Sequence, residues 1–476
     1  MNSTLSAPLA AVRLSSRQRK ARSALRTGHM RYVALYIAVY FSTYIAFVEP
    51  RYDYFGLGLR PGLGAMQVVL LAGIALMPAV LLPARFKRPS DFLLCVQYLL
   101  VYVPAVWVAF NASRPALETN QAWALVVVLF VAMTIQIATA RVLPVVPLRN
   151  SRIHPWMFGG ALIFFIGFGF STLAILVGGN FELVSLDLIY DLRRSTAAAL
   201  EQSGSALGGY LFNWLSSAAL PLCMAIGLFC KRSWLVLCSL AGFVFLYGIW
   251  GSKATLLTPF ALYAIFQLMQ RPPQRQQLSA LITALCVLLA VPLAMLAFSA
   301  EVQEFFVGWY VAIVHQRTFS SSALAIPQYL DFFSSNPLTF GSHIRGVNLL
   351  VDYPYDLDIP RSVGYFTYGA PTGGVPITLN ANYWAQDGIA AFGIAGILPV
   401  AVLAGFVYWA LDCAAARLDV RFATVCVGFI AMNLVDTSLF TTLVTGGLAL
   451  MMLVFAIFPR RLLGYDTRTF ARIRTR

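Results

Sequence analysis

Charged side chains are scarce in this sequence: Asp, Glu, Lys and Arg make up 11% of its 476 residues, whereas hydrophobic residues make up 59%. This balance excludes an ordinary soluble domain and is typical of an integral membrane protein. Apolar runs of about 20 residues, the length that a helix needs to cross the hydrocarbon core, recur along the chain. They are too long for barrel strands, and lipid offers no partners for unpaired backbone groups, so we predict an all-α polytopic membrane protein. The twelve predicted spans lie near 32–48, 66–83, 92–110, 121–140, 156–178, 207–229, 233–250, 254–270, 278–298, 388–411, 422–438 and 440–458.

Acidic residues are few as well, with 19 Asp and Glu against 34 Lys and Arg. If the N-terminus lies inside, the predicted cytoplasmic segments hold most of the basic residues and the outer segments hold most of the acids. An even number of spans then places both tails in the cytoplasm. The basic tails, 1–31 and 459–476, are interpreted as contacts with anionic membrane lipids, and no nucleic-acid partner is expected. The first apolar run lacks a small-residue cleavage site, so we do not expect a signal peptide.

All seven cysteines fall within or beside predicted spans. None lies in the long outer segment 299–387, which excludes a disulfide framework or a cysteine zinc site there. No metal-ligand pattern is visible in that segment, since Asp356-Leu-Asp358 is interpreted as part of a turn, and no metal or cofactor is expected. No internal repeat is visible, which argues against a transporter built from two inverted halves.

Two outer segments are longer than ordinary connections. Residues 179–206 include a mixed apolar and charged stretch that predicts a short helix lying in the membrane interface. Residues 299–387 separate the nine spans within 32–298 from the three within 388–458. The start of this large loop predicts a half-inserted or interfacial helix, and its Pro-, Gly- and Tyr-rich later part predicts irregular structure. A channel or carrier needs no such domain on one face, so the loop indicates chemistry at a membrane surface.

Several basic residues of the outer segments are candidates for binding phosphate. Arg193 and Arg194 could grip it through a bidentate fork, and the alternative is an ion pair with a nearby acid or contact with lipid. Lys253, between two spans, either binds a ligand or snorkels to the interface. Arg317 and Arg345 lie in the large loop. Several arginines without an acidic metal cluster suit a site that stabilises a pyrophosphate leaving group directly.

Two further residues of the outer side allow two interpretations each. His343 is either an ordinary surface histidine or a titratable group of a site. Asp387 at the start of a span either complements the helix dipole or faces a site. Gly393 and Gly396, just after it, would let another helix approach closely.

Four short motifs occur in order over about 190–400. They are Tyr190-Asp-Leu-Arg193 with Tyr210-Leu-Phe-Asn-Trp214, Gly251-Ser-Lys253, Arg317 followed by Tyr329 and Phe332-Phe333, and the run from Asn382 to Gly396. Together they resemble motifs of bacterial oligosaccharide repeat-unit polymerases, the O-antigen polymerase or Wzy family. Lys253 stands where Arg would be the more usual residue of the family, which supplies a point charge without the bidentate fork.

The resemblance implies a fold of the GT-C glycosyltransferase type, with its active site at the periplasmic face of the bacterial inner membrane. It implies an undecaprenyl-pyrophosphate-linked oligosaccharide as substrate, the growing chain being moved onto one new lipid-linked unit, and a chain-length regulator protein as a partner. The matching positions make Arg193, Lys253 and Arg317 the cationic set, with Tyr329 and Asn382 as further binding residues. Three candidates for the group that takes the hydroxyl proton remain unranked: Asp331, His343 and Asp387.

Two other functions compete with a polymerase. An O-antigen ligase shares the fold type and a pyrophosphate-binding arginine set. A lipid-linked oligosaccharide flippase or other carrier should place charges within a central cavity, whereas here nearly all charges lie at the ends of predicted spans. We therefore expect a metal-independent glycosyltransferase that polymerises a surface polysaccharide.

Overall fold

The computed structural model describes residues 16–148, 153–179, 181–184, 189–202, 207–271, 277–299, 306–369 and 378–463. The described residues form helices joined by turns and irregular links, and no strand occurs among them. The predicted all-α polytopic membrane fold is confirmed, since nine of the helices in these ranges are long and apolar enough to cross a membrane. Parts of both tails, 1–15 and 464–476, lie outside the described residues, as does the side chain of Arg194.

The helices are numbered here along the chain. The long apolar helices are α1 (Gly28–Phe55), α3 (Pro89–Asn111), α4 (Thr119–Val142), α5 (Pro155–Leu176), α7 (Leu207–Phe229), α8 (Ser233–Trp250), α10 (Gln277–Met295), α13 (Trp384–Ala415) and α15 (Leu439–Ile457). The others are α2 (Ala65–Leu81), α6 (Ile189–Gln202), α9 (Lys253–Met269), α11 (308–335), α12 (Ile359–Tyr368) and α14, which consists of Val420–Cys426 and Gly428–Asn433. Helical structure precedes α1 from Ser16 onwards.

Hydropathy located most of these helices, and one prediction needs correction. Eleven predicted spans coincide with α1 to α5, α7 to α10, α13 and α15. The predicted span 422–438 is instead the broken helix α14, which ends at Asn433 and is followed by an irregular link, 434–438. A hydropathy average over this stretch is high because one carboxylate is outweighed by its many apolar neighbours.

Helix α3 is the centre of the bundle, because its whole apolar stretch is buried inside the protein. Helices α4, α11 and α13 pack around it. Gly405 of α13 allows close contact with α4, since a Cβ atom there would lie 2.6 Å from Cβ of Thr139. Small residues at such crossings let helix backbones approach in a membrane, where packing replaces the hydrophobic effect between helices. By contrast, α5 is mostly exposed, as an outer helix facing lipid would be.

The large segment 299–387 differs from the predicted loop. Its first described part is the continuous helix α11, made of Gly308–Tyr310, Val311–Ser320 and Ser321–Ser335, which extends well past the short interfacial helix that we predicted. The ring of Phe319 lies 6.0 Å from that of Tyr40 in α1, and Phe319 is fully buried. About one third of the predicted loop is thus part of the helical bundle. Irregular structure was predicted for 352–374 and is found in 352–358, as it is in most of 336–351. The prediction is wrong for Ile359–Tyr368, which form helix α12, and 370–374 lie outside the described residues.

The two predicted glycines lie at a break near the start of α13. Gly393 has φ +64°, a left-handed conformation that glycine adopts without strain, and the chain turns there. As a result Gly396 packs against Gly388, and a Cβ at Gly396 would lie 2.1 Å from the Gly388 carbonyl oxygen. The close approach that the glycines permit is therefore within this one segment, directly beside Asp387.

Candidate functional site

A cavity of about 1220 Å³ lies at the end of the bundle where α7 and α15 begin. In the topology predicted from the basic residues, this is the outer end. Most of its lining comes from the start of α7, the irregular segment around 342–360, and the link 434–438 with the first turns of α15. Leu200 of α6, Asn380 and Gln386 complete the lining. The polar side chains among the lining residues include Tyr210, His343, Arg345, Asn348, Tyr353, Tyr355, Asp356, Asp358, Asn380, Gln386, Asp436, Thr437 and Ser438.

Asp387, in the first turns of α13, lies behind the cavity wall with its side chain fully buried. Its Oδ1 atom accepts a hydrogen bond from the Ser438 hydroxyl at 2.5 Å, and its Oδ2 atom accepts one from the Leu439 backbone N–H at 2.6 Å. Nε2 of His343 lies 3.4 Å from Oδ1. Two of the three predicted proton acceptors are thus neighbours, and the carboxylate ties the His343 segment to the start of α15.

Thr339 orients the His343 ring. The Thr339 hydroxyl donates to the Ala390 carbonyl oxygen at 2.9 Å, and the same hydroxyl oxygen lies 2.9 Å from Nδ1 of His343. Because the hydroxyl proton is directed to Ala390, Nδ1 of His343 must carry a proton, which it donates to the Thr339 oxygen. The ring is therefore held with Nε2 towards Asp387.

Replacing Thr339 by valine should destabilise the fold, while Thr339→Ser should retain the stability of the native protein. Valine removes the acceptor of the Nδ1 proton and leaves a buried donor unsatisfied, which costs about 1–3 kcal/mol. Serine keeps the hydroxyl. Thermal unfolding of the purified protein in detergent measures the difference. Equal melting temperatures for the two variants would show that the hydroxyl does not hold the ring.

Arg345 is the cation that reaches the cavity most directly. Its Nη1 atom donates to the Tyr210 hydroxyl at 2.8 Å, and its guanidinium carbon lies 5.7 Å from the centre of that tyrosine ring. The arginine is nonetheless exposed and lines the cavity. Tyr210 also belongs to one of the motifs that carry the family resemblance. A fixed guanidinium facing a cavity can bind a phosphate oxygen through charge-assisted hydrogen bonds.

Arg193 and Lys253 belong to two segments that the structure brings together. Thr196 of α6 donates through its hydroxyl to the Ile249 carbonyl at the end of α8, at 2.7 Å. Gly251, with φ +63°, leaves room for the Ile189 carbonyl, which would lie 3.2 Å from a Cβ there. Helix α6 with Arg193 therefore packs on the turn that carries Lys253. Neither of these two cations lines the cavity.

Arg317 also does not line the cavity. It is exposed on the π-helical part of α11, where its positive charge acts on Asp436. Of the candidate cations whose side chains the structure describes, Arg345 is thus the one that lines the cavity.

Three other predicted residues have structural contacts and do not line the cavity. The buried Tyr329 donates through its hydroxyl to the Leu379 carbonyl at 2.9 Å. The side-chain oxygen of Asn382 accepts from the backbone N–H of Trp384 at 3.0 Å and so caps the start of α13. Asp331 is partly buried on α11, and this burial raises the pKa of its carboxyl group. Tyr329 and Asn382 thereby fix the chain that leads to Asp387.

Asp436 and Ser438 are site residues that sequence reasoning missed. They lie in the link 434–438, which we predicted to be the end of a membrane span, and both line the cavity. The polar run Asp436-Thr-Ser438 at the end of a predicted span was the available signal. Asp436 is exposed and lines the cavity, and protein also lies close to its side chain. Burial raises the pKa of its carboxyl group to about 6, and the Arg317 charge opposes this rise.

No cluster of three or more His, Cys, Asp and Glu side chains suited to a metal ion occurs within the described ranges. Comparisons of the chain with protein-family models, with curated proteins and with solved structures find no match.

Proposed function

We propose that the protein is a glycosyltransferase that joins lipid-pyrophosphate-linked oligosaccharide units into a surface polysaccharide, as the repeat-unit polymerases that it resembles do. The observation that carries the proposal is the cavity of about 1220 Å³, which combines Arg345 with the carboxylates Asp356, Asp358 and Asp436. Pockets for drug-sized ligands have volumes of about 300–1,000 Å³. The larger cavity suits an oligosaccharide, and its charges suit pyrophosphate departure and proton removal.

In this reaction a sugar hydroxyl of one unit attacks the anomeric carbon of the other. The new glycosidic C–O bond forms, the bond to the pyrophosphate oxygen breaks, and the hydroxyl proton passes to a base, through an oxocarbenium-like state. Arg345 would neutralise the charge that develops on the leaving pyrophosphate. A prearranged donor of this kind contributes about 3–4 kcal/mol to stabilising a transition state, by analogy with oxyanion holes.

The apolar edge of the cavity supports a lipid carrier as part of the substrate. Leu200, Gly209 and Val444 line the cavity where α6, α7 and α15 meet, and more than half of the surface of Val444 is exposed. A polyprenyl chain in the bilayer could lie against these helices while its pyrophosphate reaches Arg345. Two lipid-linked substrates held in one bilayer also gain from proximity. The partners proposed are thus the undecaprenyl-pyrophosphate-linked oligosaccharide, membrane lipids and a chain-length regulator.

A deletion strain tests the proposal against its two rivals. We expect lipopolysaccharide capped with a single repeat unit, because a polymerase acts after the unit is made and before the glycan is ligated. A plasmid copy should restore the ladder of longer chains, and an Arg345→Ala copy that inserts normally should not. Complete absence of the glycan would instead indicate a ligase or a flippase. An unchanged ladder would overturn the proposal.

A further inference from the structure

We propose that Asp436 is the catalytic residue that accepts the proton of the attacking sugar hydroxyl. This inference rests on the proposed glycosyl transfer and assigns a role that none of the three sequence-predicted candidates can fill. The proton moves from the hydroxyl oxygen to a carboxylate oxygen of Asp436 as the new C–O bond forms. A second proton transfer to water then restores the carboxylate.

The enclosed pair Asp387 and His343 cannot easily take this proton. Both oxygens of Asp387 accept hydrogen bonds from the start of α15, and its side chain has no exposed surface. The Nε2 atom of His343 faces Asp387 and is itself buried. Nδ1 of the same ring is the donor to Thr339. A general base must come within hydrogen-bond distance of the proton that it removes, and these atoms point into the wall.

Asp436 lines the cavity, where a substrate could reach it, whereas the atoms of Asp387 and Nε2 of His343 are buried. Contacts of residues before and after Asp436 hold it in place. Its backbone N–H donates to the Asn433 carbonyl at 3.3 Å. Two residues later Ser438 is bound to Asp387 at 2.5 Å. The Thr437 hydroxyl lies 3.4 Å from Oδ1 of Asp436 and donates to it. The hydrogen bonds of Asp387 with Ser438 and Leu439 therefore position the link that carries Asp436 at the cavity.

Two other acids line the cavity, and they are less suited to the role. Asp358 lies 3.6 Å from Arg361 in an exposed ion pair, at the N-terminus of α12. Asp356 lies on the same irregular segment as Asp358 and is exposed. Either could bind sugar hydroxyls. The comparison for Asp436 is therefore Asp352, an exposed acid that does not line the cavity.

The surroundings of Asp436 bring the pKa of its carboxyl group closer to neutral pH. Burial raises the pKa of this carboxyl to about 6, and the positive charge of Arg317 keeps it from rising further. A base with a pKa near the working pH is the most effective in general base catalysis. Removing Arg317 should raise the pKa, so that activity requires a higher pH. The other charged or titratable groups around the cavity and its wall are Tyr210, His343, Arg345, Tyr353, Tyr355, Asp356, Asp358 and Asp387.

The test measures the rate of chain extension against pH, using the full chain in lipid nanodiscs and a synthetic polyprenyl-pyrophosphate oligosaccharide. Native protein should lose activity below about pH 6 as Asp436 becomes protonated. Asp436→Asn should lower kcat by about 10²–10⁴-fold with little change in KM, and the decline below pH 6 should vanish. Asp352→Asn, at an exposed acid that does not line the cavity, should stay within a few fold of native. Arg317→Ala should shift the decline to higher pH, and Arg317→Lys should not.

A stability measurement makes the inference testable even if this substrate is not turned over. Folding raises the pKa of Asp436 from its ordinary value of 3.8 to about 6, so native protein loses stability as the pH rises from about 4 to 6, and this loss is complete above pH 6. Asp436→Asn does not have this loss, so its melting temperature relative to native should rise between about pH 4 and 6.5 and then stay constant. If the melting temperature did not rise in this way, the proposed surroundings of Asp436 would be refuted. If the melting temperature rose but native protein transferred no glycosyl group, the proposed function would be refuted instead. If Asp436→Asn kept the native rate of catalysis, the inference about Asp436 would be overturned.

Discussion

Arg345→Ala should lower the rate of glycosyl transfer by about 10²–10³-fold, the loss measured when a single prearranged donor is removed from a developing negative charge. The guanidinium lines the cavity and is held by the Tyr210 hydroxyl at 2.8 Å, so its position is set before substrate binds. The side chain is exposed, and its removal should leave the melting temperature within about 2 °C of native, since exposed residues contribute little to stability. Initial rates with the lipid-linked oligosaccharide measure the effect.

Matched variants separate the charge of Arg345 from its geometry. Arg345→Lys keeps a point charge without the fork and should recover part of the rate. Arg361→Ala removes an arginine of an exposed ion pair, and we expect a rate close to native. If Arg345→Ala retained the native rate, the pyrophosphate would have to be bound by another cation. Arg193 and Lys253, on segments packed together outside the cavity, would then be the residues to test.

Asp387→Ala should be the most destabilising single substitution at the site, at about 3–5 kcal/mol, which is the usual cost of removing one partner from a buried charged network. The substitution removes the hydrogen-bond acceptor of the Ser438 hydroxyl and of the Leu439 N–H, and it removes the carboxylate next to His343. Activity should fall with it, because the link that carries Asp436 loses its anchor. Thermal unfolding in detergent measures the loss of stability, and Asp387→Asn should lose less because its amide oxygen still accepts.

The control for this substitution is Asp352→Ala, which removes an exposed acid from the same side of the protein. It should leave stability and activity near native. An Asp387→Ala protein with native stability but no activity would contradict our description, since it would mean that the carboxylate acts on substrate and does not hold the wall together.

The fold was largely predictable because hydropathy over about 20 residues reports what lipid demands of a helix. The exceptions have a physical reason. Helix α11 carries His315, Gln316 and Arg317 among apolar residues, so its mean hydropathy is low although His315 and Phe319 are fully buried. Burial against other helices, and not contact with lipid, accommodates such a segment.

The candidate site was predictable only in part. Sequence reasoning identified His343, Arg345 and Asp387 as candidates, and the structure places all three at the cavity or directly behind its wall. It could not show that Tyr329 and Asn382 are occupied with backbone contacts, because these depend on the chain folding back at 378–382. It missed Asp436, since a single carboxylate at the end of an apolar run does not stop a hydropathy average from indicating a span.

In the proposed function, the hydrogen bonds around Asp387 have a mechanical consequence for the choice of glycan. Helices α13 and α15 are joined at their first turns by hydrogen bonds of 2.5 and 2.6 Å, so the floor of the cavity is stiff. Leu349 and Leu350 directly follow Asn348, which lines the cavity, and they are 85% and 87% exposed, so little packing holds this part of the segment. In the proposed reaction, repeat units of different size would be accommodated by displacement of this segment, while the reacting groups keep their spacing.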